Sequence, residues 1–167
     1  AAWVALFWSG FVPPALLLPT VIVVGMVAGA LWAGIPALLK AYLRVDETLT
    51  TLMLNYVAIL FSQHLYYGSW RDPQGYGFPG TAPFPEAAWL PRLAGRAHLG
   101  LVFALIAAAL LWFILKRTRW GSELRIIGEN TTAARYLGIN IARNIVLALL
   151  LSGALAGLAG VCEVTGI

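Results

Sequence analysis

The stretch His98–Leu115, HLGLVFALIAAALLWFIL, decides the fold. It contains no Asp, Glu, Lys or Arg. Its length is close to the roughly 20 residues a helix needs to cross about 30 Å of hydrocarbon. The rest of the chain agrees with it. Of 167 residues, 60% are hydrophobic and only 11% are charged, and the mean hydropathy is +0.82. A soluble domain carries about 25% charged residues. A soluble core of this size has no means of burying so much apolar surface. The chain therefore reads as all-α, a polytopic transmembrane helix bundle.

Working outward, residues 1–39 carry no charge, and Pro13-Pro14 divides them. This leaves the end of a preceding span before Pro13 and a full helix over Ala15–Leu39. Pro19 lies near the start of that helix, where its missing N–H matters least. Further spans are expected over Thr48–Tyr67 and Asn144–Cys162. The expected total is about four full spans plus the end of the preceding one, in a single domain over 1–167.

Charge orients these spans. Segment 116–143 holds Lys116, Arg117, Arg119, Arg125, Arg135 and Arg143 against Glu123 and Glu129. The positive-inside rule assigns it to the cytoplasm, and parity places Lys40–Glu47 there too. Segment 68–97, punctuated by Pro73, Gly75, Pro79, Pro83 and Pro91, falls outside as an ordered loop with little regular structure. Tyr66, Tyr67 and Trp70 mark its membrane boundary. Arg71, Arg92 and Arg96 lie on this outer side against the rule, but long loops weigh little in it. The net charge of +4 is thus a matter of topology and not of nucleic-acid binding. Cys162 is the only cysteine, which excludes an internal disulfide framework or a cysteine-based zinc site. The chain lacks an initiator Met and ends on Gly166-Ile167 just after an apolar run, so it reads as an internal fragment without a signal peptide.

One part of the basic loop is unusually well punctuated. In Gly128-Glu-Asn-Thr-Thr-Ala-Ala-Arg-Tyr-Leu-Gly138, Asn130 suits an N-cap and Gly138 suits the left-handed residue that follows a helix. The intervening Thr131–Leu137 spans about two turns, roughly 10 Å. A helix this short is marginal alone in water. Either it is an ordinary solvated turn, or it docks on something. The sequon Asn130-Thr131-Thr132 is discarded, because the topology makes it cytoplasmic.

Polar groups inside the spans are few. Glu47, Thr51, Asn55 and Ser62 share one face of the second span, with Asn55 about 12 Å beyond Glu47. They either hydrogen-bond a neighbouring helix or line a water-filled path. His64 reads as an interfacial residue beside Tyr66. Glu163 follows Ser152, Gly153, Ala156, Ala159 and Gly160 on a small-residue face near the pair Gly153/Gly157. It lies about 30 Å from Arg143 along a straight helix, so it is either structural at the outer mouth or part of a path. The pairs Gly25/Gly29 and Ala30/Gly34 read as packing devices. The sequence has no GxxxxGK[ST] phosphate loop, HExxH, paired cysteines or GxSxG. No catalytic residue, metal site or cofactor of its own is expected.

The run Thr118-Arg119-Trp120-Gly121-Ser122-Glu123-Leu124-Arg125-Ile126-Ile127-Gly128-Glu129-Asn130, followed by Ala133-Ala134 and Gly138-Ile139, resembles the cytoplasmic loop of ABC importer permeases. The group in question handles ribose and other simple sugars, branched-chain amino acids and nucleosides. The following span, Ser152-Gly153-Ala154-Leu155-Ala156-Gly157-Leu158-Ala159-Gly160, resembles the family's glycine-rich helix. Gly29–Lys40 and Glu47–Tyr56 look closest to the simple-sugar and nucleoside branch.

The resemblance implies a permease subunit of an ATP-driven importer in the bacterial inner membrane. Its partners would be a second permease subunit, cytoplasmic ATPase subunits that use the ATP, and an extracytoplasmic substrate-binding protein. Segment 116–143 would be the coupling loop. Gly128, Asn130, Thr131, Ala133, Ala134, Arg135, Tyr136, Leu137 and Gly138 would couple to the ATPase. Thr51, Asn55, Ser62 and Glu163 are the path candidates. An ion-coupled secondary transporter is the alternative, but it has no use for a capped helix aimed at a cytoplasmic partner. A non-transporting membrane scaffold is the other alternative, with the capped helix as its docking site.

Overall fold

The computed structural model describes residues 11, 13–72, 81, 88–94 and 97–166. Residues 1–10 and 12, where the end of a preceding span is expected, most of the proline-rich segment, and Arg96 lie outside the described residues. Helix α1 runs Pro14–Leu43, α2 Glu47–Tyr67, α3 Gly100–Arg117, α4 Arg119–Glu129, α5 Thr131–Tyr136 and α6 Ile141–Thr165. A two-stranded antiparallel ribbon, β1 (Arg92–Ala94) and β2 (Ala97–His98), precedes α3. The all-α architecture stands, with this ribbon as an addition in a segment that reads as irregular from its prolines.

Among the described residues, three helices are long and apolar enough to cross a membrane by composition: Ala15–Leu43, Gly100–Arg117 and Ile141–Thr165. Helix α2 has the length, 21 residues, but not the composition. Asn55, Ser62, Gln63 and His64 dilute its apolar character. It still carries the chain from the end of the bundle at Leu43 to the opposite end, where Leu90 meets Thr165, in keeping with the expected four spans. The helices also run past the expected ends. At 30 residues, α1 is about 45 Å long and outruns the hydrocarbon layer. Pro14 occupies its first turn, where no N–H is needed. Pro19 and Pro36 both lie within it.

The turn from α1 to α2 is built from polar contacts. Arg44 takes a left-handed conformation (φ 56°) and its N–H donates to Leu39 O. Lys40 Nζ sits 2.6 Å from Glu47 Oε2 across the turn. Asp46 caps α2, accepting from Thr48 N at 2.8 Å and Leu49 N at 3.3 Å. These two backbone donors hold its carboxyl below the ordinary value. The charged cap is fully in place above the unfolded carboxylate value of about 3.9. Its contribution is lost only as the pH falls through the lowered folded value.

The centre of the fold is the crossing of α1 and α6. Gly29 meets Gly153 and Gly157, Gly25 meets Gly157, and Ala33 meets Gly153. Rising numbers on α1 match falling numbers on α6, so the pair is antiparallel. The close approach exists because these positions lack a side chain. A Cβ on Gly29 would lie 2.9 Å from Gly157 Cα and collide with Gly153 O. At one end of the crossing, Leu17, Val21, Val161 and Ala88 form a buried cluster. Leu90 N donates to Thr165 O at 2.8 Å there. This pins part of segment 68–97 to the end of the bundle opposite α4 and α5.

Candidate functional site

The short helix α5 is framed by the two devices its sequence predicts. Asn130 Oδ1 accepts from Thr132 N at 2.9 Å and Ala133 N at 3.1 Å. At the other end Gly138 adopts φ 73°. Its N–H donates to Arg135 O at 3.0 Å, and Ile139 N donates to Ala134 O at 3.0 Å. Those two bonds are the Schellman pair that closes a helix end. The six-residue helix is therefore satisfied at both termini despite its length.

Its faces are unequal. Ala134 is buried and Ala133 half-buried, turned toward the chain's own helices. Thr131, Thr132 and Arg135 are exposed. Tyr136 is 89% and Leu137 67% exposed. An exposed aromatic beside an exposed leucine at the edge of a membrane domain is apolar surface without a partner among the described residues. Of the residues expected to couple, Ala134 anchors the helix, while Tyr136 and Leu137 face outward.

Within the loop expected over 116–143, the sequence points to a helix only at Thr131–Leu137, and the structure adds α4. The signal was present. Thr118 precedes it as an N-cap, accepting from Gly121 N at 3.2 Å, and Trp120, Leu124 and Ile127 recur at helical spacing. Also missed was the tie between α4 and α6. Asn144 is buried and donates from Nδ2 to Glu123 Oε2 at 3.0 Å and to Asn140 O at 3.1 Å. Two polar residues 21 positions apart announce no such pairing in a sequence. Asn144→Ala leaves Glu123 without this donor, at a cost of about 1–3 kcal/mol. The expected readout is a lowered melting temperature of the detergent-solubilised protein, with a smaller change for Glu123→Gln.

The path candidates are not brought together. Thr51 and Asn55 are exposed on α2, and Thr51 Oγ1 donates to Glu47 O at 2.8 Å. Ser62 is half-buried in a shallow hollow with Ala58, Gln63 and Tyr66. Glu163 lies far along α6, exposed at the rim of an apolar groove of about 590 Å³ between α3 and α6. The small residues around Glu163 divide by face. Gly153 packs on α1, whereas Gly160 has nothing within 4 Å of a built Cβ. Among the described residues, no group of three His, Cys, Asp or Glu gathers in one place.

The long apolar helices are those of a multi-pass membrane protein. The chain belongs to the family described as the permease component of branched-chain amino acid transport systems, which matches residues 1–167. It is 38% identical to the guanosine ABC transporter permease of Bacillus subtilis, over 98% of this chain and 49% of that protein. It is 37% identical to the glucose ABC transporter permease of Haloferax volcanii, over 98% of this chain and 46% of that protein. A nucleoside ABC transporter permease of Lactococcus lactis is 32% identical over 96% of this chain and 48% of its own length. The chain spans about half the length of the curated relatives it matches. No solved structure matches it. The family expected from the loop and from the Glu47–Tyr56 run is the family found.

Proposed function

We propose that this chain is part of the membrane-spanning subunit of an ATP-driven importer, and that α5 is its coupling helix. The observation that carries the reading is a helix too short to persist alone, capped at both ends, presenting Tyr136 and Leu137 outward. Segment 116–143 lies in the cytoplasm and segment 68–97 outside, in a bacterial inner membrane. The ATP is bound and used by separate ATPase subunits, and this chain binds no cofactor. A second permease subunit and an extracytoplasmic binding protein complete the transporter. The solute is a nucleoside or a simple sugar, in keeping with the guanosine, nucleoside and glucose permeases among its relatives.

Ion coupling is disfavoured by where the charges fall. On the three long apolar helices, Lys40, Lys116, Arg117, Arg143 and Glu163 all lie toward the ends. A proton-coupled carrier relies on ionisable groups within the bilayer.

The test replaces both exposed residues, Tyr136→Ala with Leu137→Ala, in the full-length permease co-expressed with its ATPase subunits. Truncating two contact side chains of this kind costs roughly 2–4 kcal/mol of binding. Co-purification of the ATPase and uptake of radiolabelled guanosine or glucose should both fall at least tenfold, with membrane insertion unchanged. Undiminished co-purification would remove α5 from the interface.

A further inference from the structure

A cleft of about 470 Å³ lies behind α5, walled by Arg119, Trp120 and Glu123 of α4 and floored by Arg143, Asn144 and Leu147 of α6. It opens where α3 has just ended at Arg117 and α6 has just begun at Ile141. Both helices are long and apolar enough to span the bilayer, so the cleft sits at a membrane surface. Two arginines against one carboxylate leave it cationic. The Glu123 carboxylate is already engaged by Asn144 Nδ2. The Trp120 indole Nε1 is buried and has no hydrogen-bond partner among the described residues.

The same face of α6 continues into hydrocarbon. Asn144 and Leu147 belong to the cleft. Leu151, Leu155 and Leu158 follow at helical steps and line an apolar groove of about 290 Å³ shared with α3 and α1. From Leu147 to Leu158 the rise is about 16 Å, close to half of the roughly 30 Å hydrocarbon layer. The cationic cleft and the apolar groove thus follow one another along a single face of α6.

We infer that this cleft and groove bind an anionic glycerophospholipid, its phosphate between Arg119 and Arg143 and an acyl chain along Leu147–Leu158. Paired arginines suit a phosphate because their forked donors match its oxygens. Basic pockets at the cytoplasmic end of membrane helices hold acidic headgroups for the same reason. The inference rests on α3 and α6 crossing the bilayer and is independent of the solute, while Leu137, given above to the ATPase contact, also lines the cleft.

The experiment uses the full-length permease with its ATPase subunits in nanodiscs of phosphatidylglycerol and phosphatidylcholine. Native mass spectrometry then counts the phospholipids retained after release. Wild type should keep one phosphatidylglycerol per permease chain. The double variant Arg119→Gln/Arg143→Gln should keep about tenfold less, as expected for losing two charge-assisted contacts. Leu151→Trp, which fills the groove and leaves the head site intact, should lose it as well. Continued co-purification with the ATPase shows that the variants are folded. Equal retention in wild type and both variants would overturn the inference and give the groove to another segment of the longer protein. Equal retention of phosphatidylcholine would overturn the charge assignment. Displacement by inorganic phosphate alone would make the cleft a soluble-anion site and overturn the lipid.

Discussion

Replacing Gly29 by valine is expected to lower the thermal stability of the full-length protein in detergent by about 10 °C, on a cost of about 3 kcal/mol. The cause is backbone against backbone. A side chain at Gly29 collides with Gly153 O and lies 2.9 Å from Gly157 Cα, neither of which can rotate away. Gly153→Val meets the same wall from the other side, with Gly29 O 2.5 Å from its Cβ. Two controls separate crowding from a general intolerance of these helices. Gly160→Ala has open space, and Gly34→Ala places its Cβ 3.5 Å from Leu150 Cδ2, an ordinary contact. Both should be neutral or slightly stabilising, because alanine favours the helix by roughly 0.5–1 kcal/mol. If Gly29→Val melts together with Gly160→Ala, the crossing of α1 and α6 is not as close as described.

The second large effect is expected at Gly138. At φ 73° a β-branched residue is strained by about 1–3 kcal/mol, and the Schellman closure of α5 is the element that yields. Nothing lies within 4 Å of a built Cβ there, so crowding plays no part. Gly138→Val should reduce solute uptake at least tenfold and weaken ATPase co-purification, while insertion into the membrane is preserved. Gly138→Asn should retain most of the uptake, because asparagine enters the left-handed region more readily. Wild-type uptake by the valine variant would refute the need for a closed α5. An asparagine variant as poor as valine would point to contact at the glycine itself.

The elements legible in the sequence were those specified by neighbouring residues. Membrane helices announce themselves through unbroken apolar runs. Asn130 and Gly138 announce a helix start and stop because capping is a matter of a few adjacent groups. The small pairs Gly25/Gly29 and Gly153/Gly157 marked packing surfaces, although not that they pack on each other. Position-specific partners were not legible. Helix α4 was hidden because its charges resembled a loop, while its apolar Trp120, Leu124 and Ile127 needed the bundle as a surface to lie on. The Glu123–Asn144 bond needed the folded geometry of two segments. The stripe of Thr51, Asn55 and Ser62 shows the limit most clearly. Periodicity placed the three on one face of α2, but their roles depend on what stands opposite that face.

Thr118 ends α3 and begins α4 with no residue between them. Its N–H donates to Ile114 O at 3.2 Å, its Oγ1 donates to Ile114 O at 2.6 Å, and the same oxygen accepts from Gly121 N at 3.2 Å. The two helices therefore share one rotational phase. A single residue inserted before Thr118 would turn α4, and α5 behind it, by about 100° around the α3 axis. The angular setting of the exposed Tyr136 is in this way written into the length of a membrane helix.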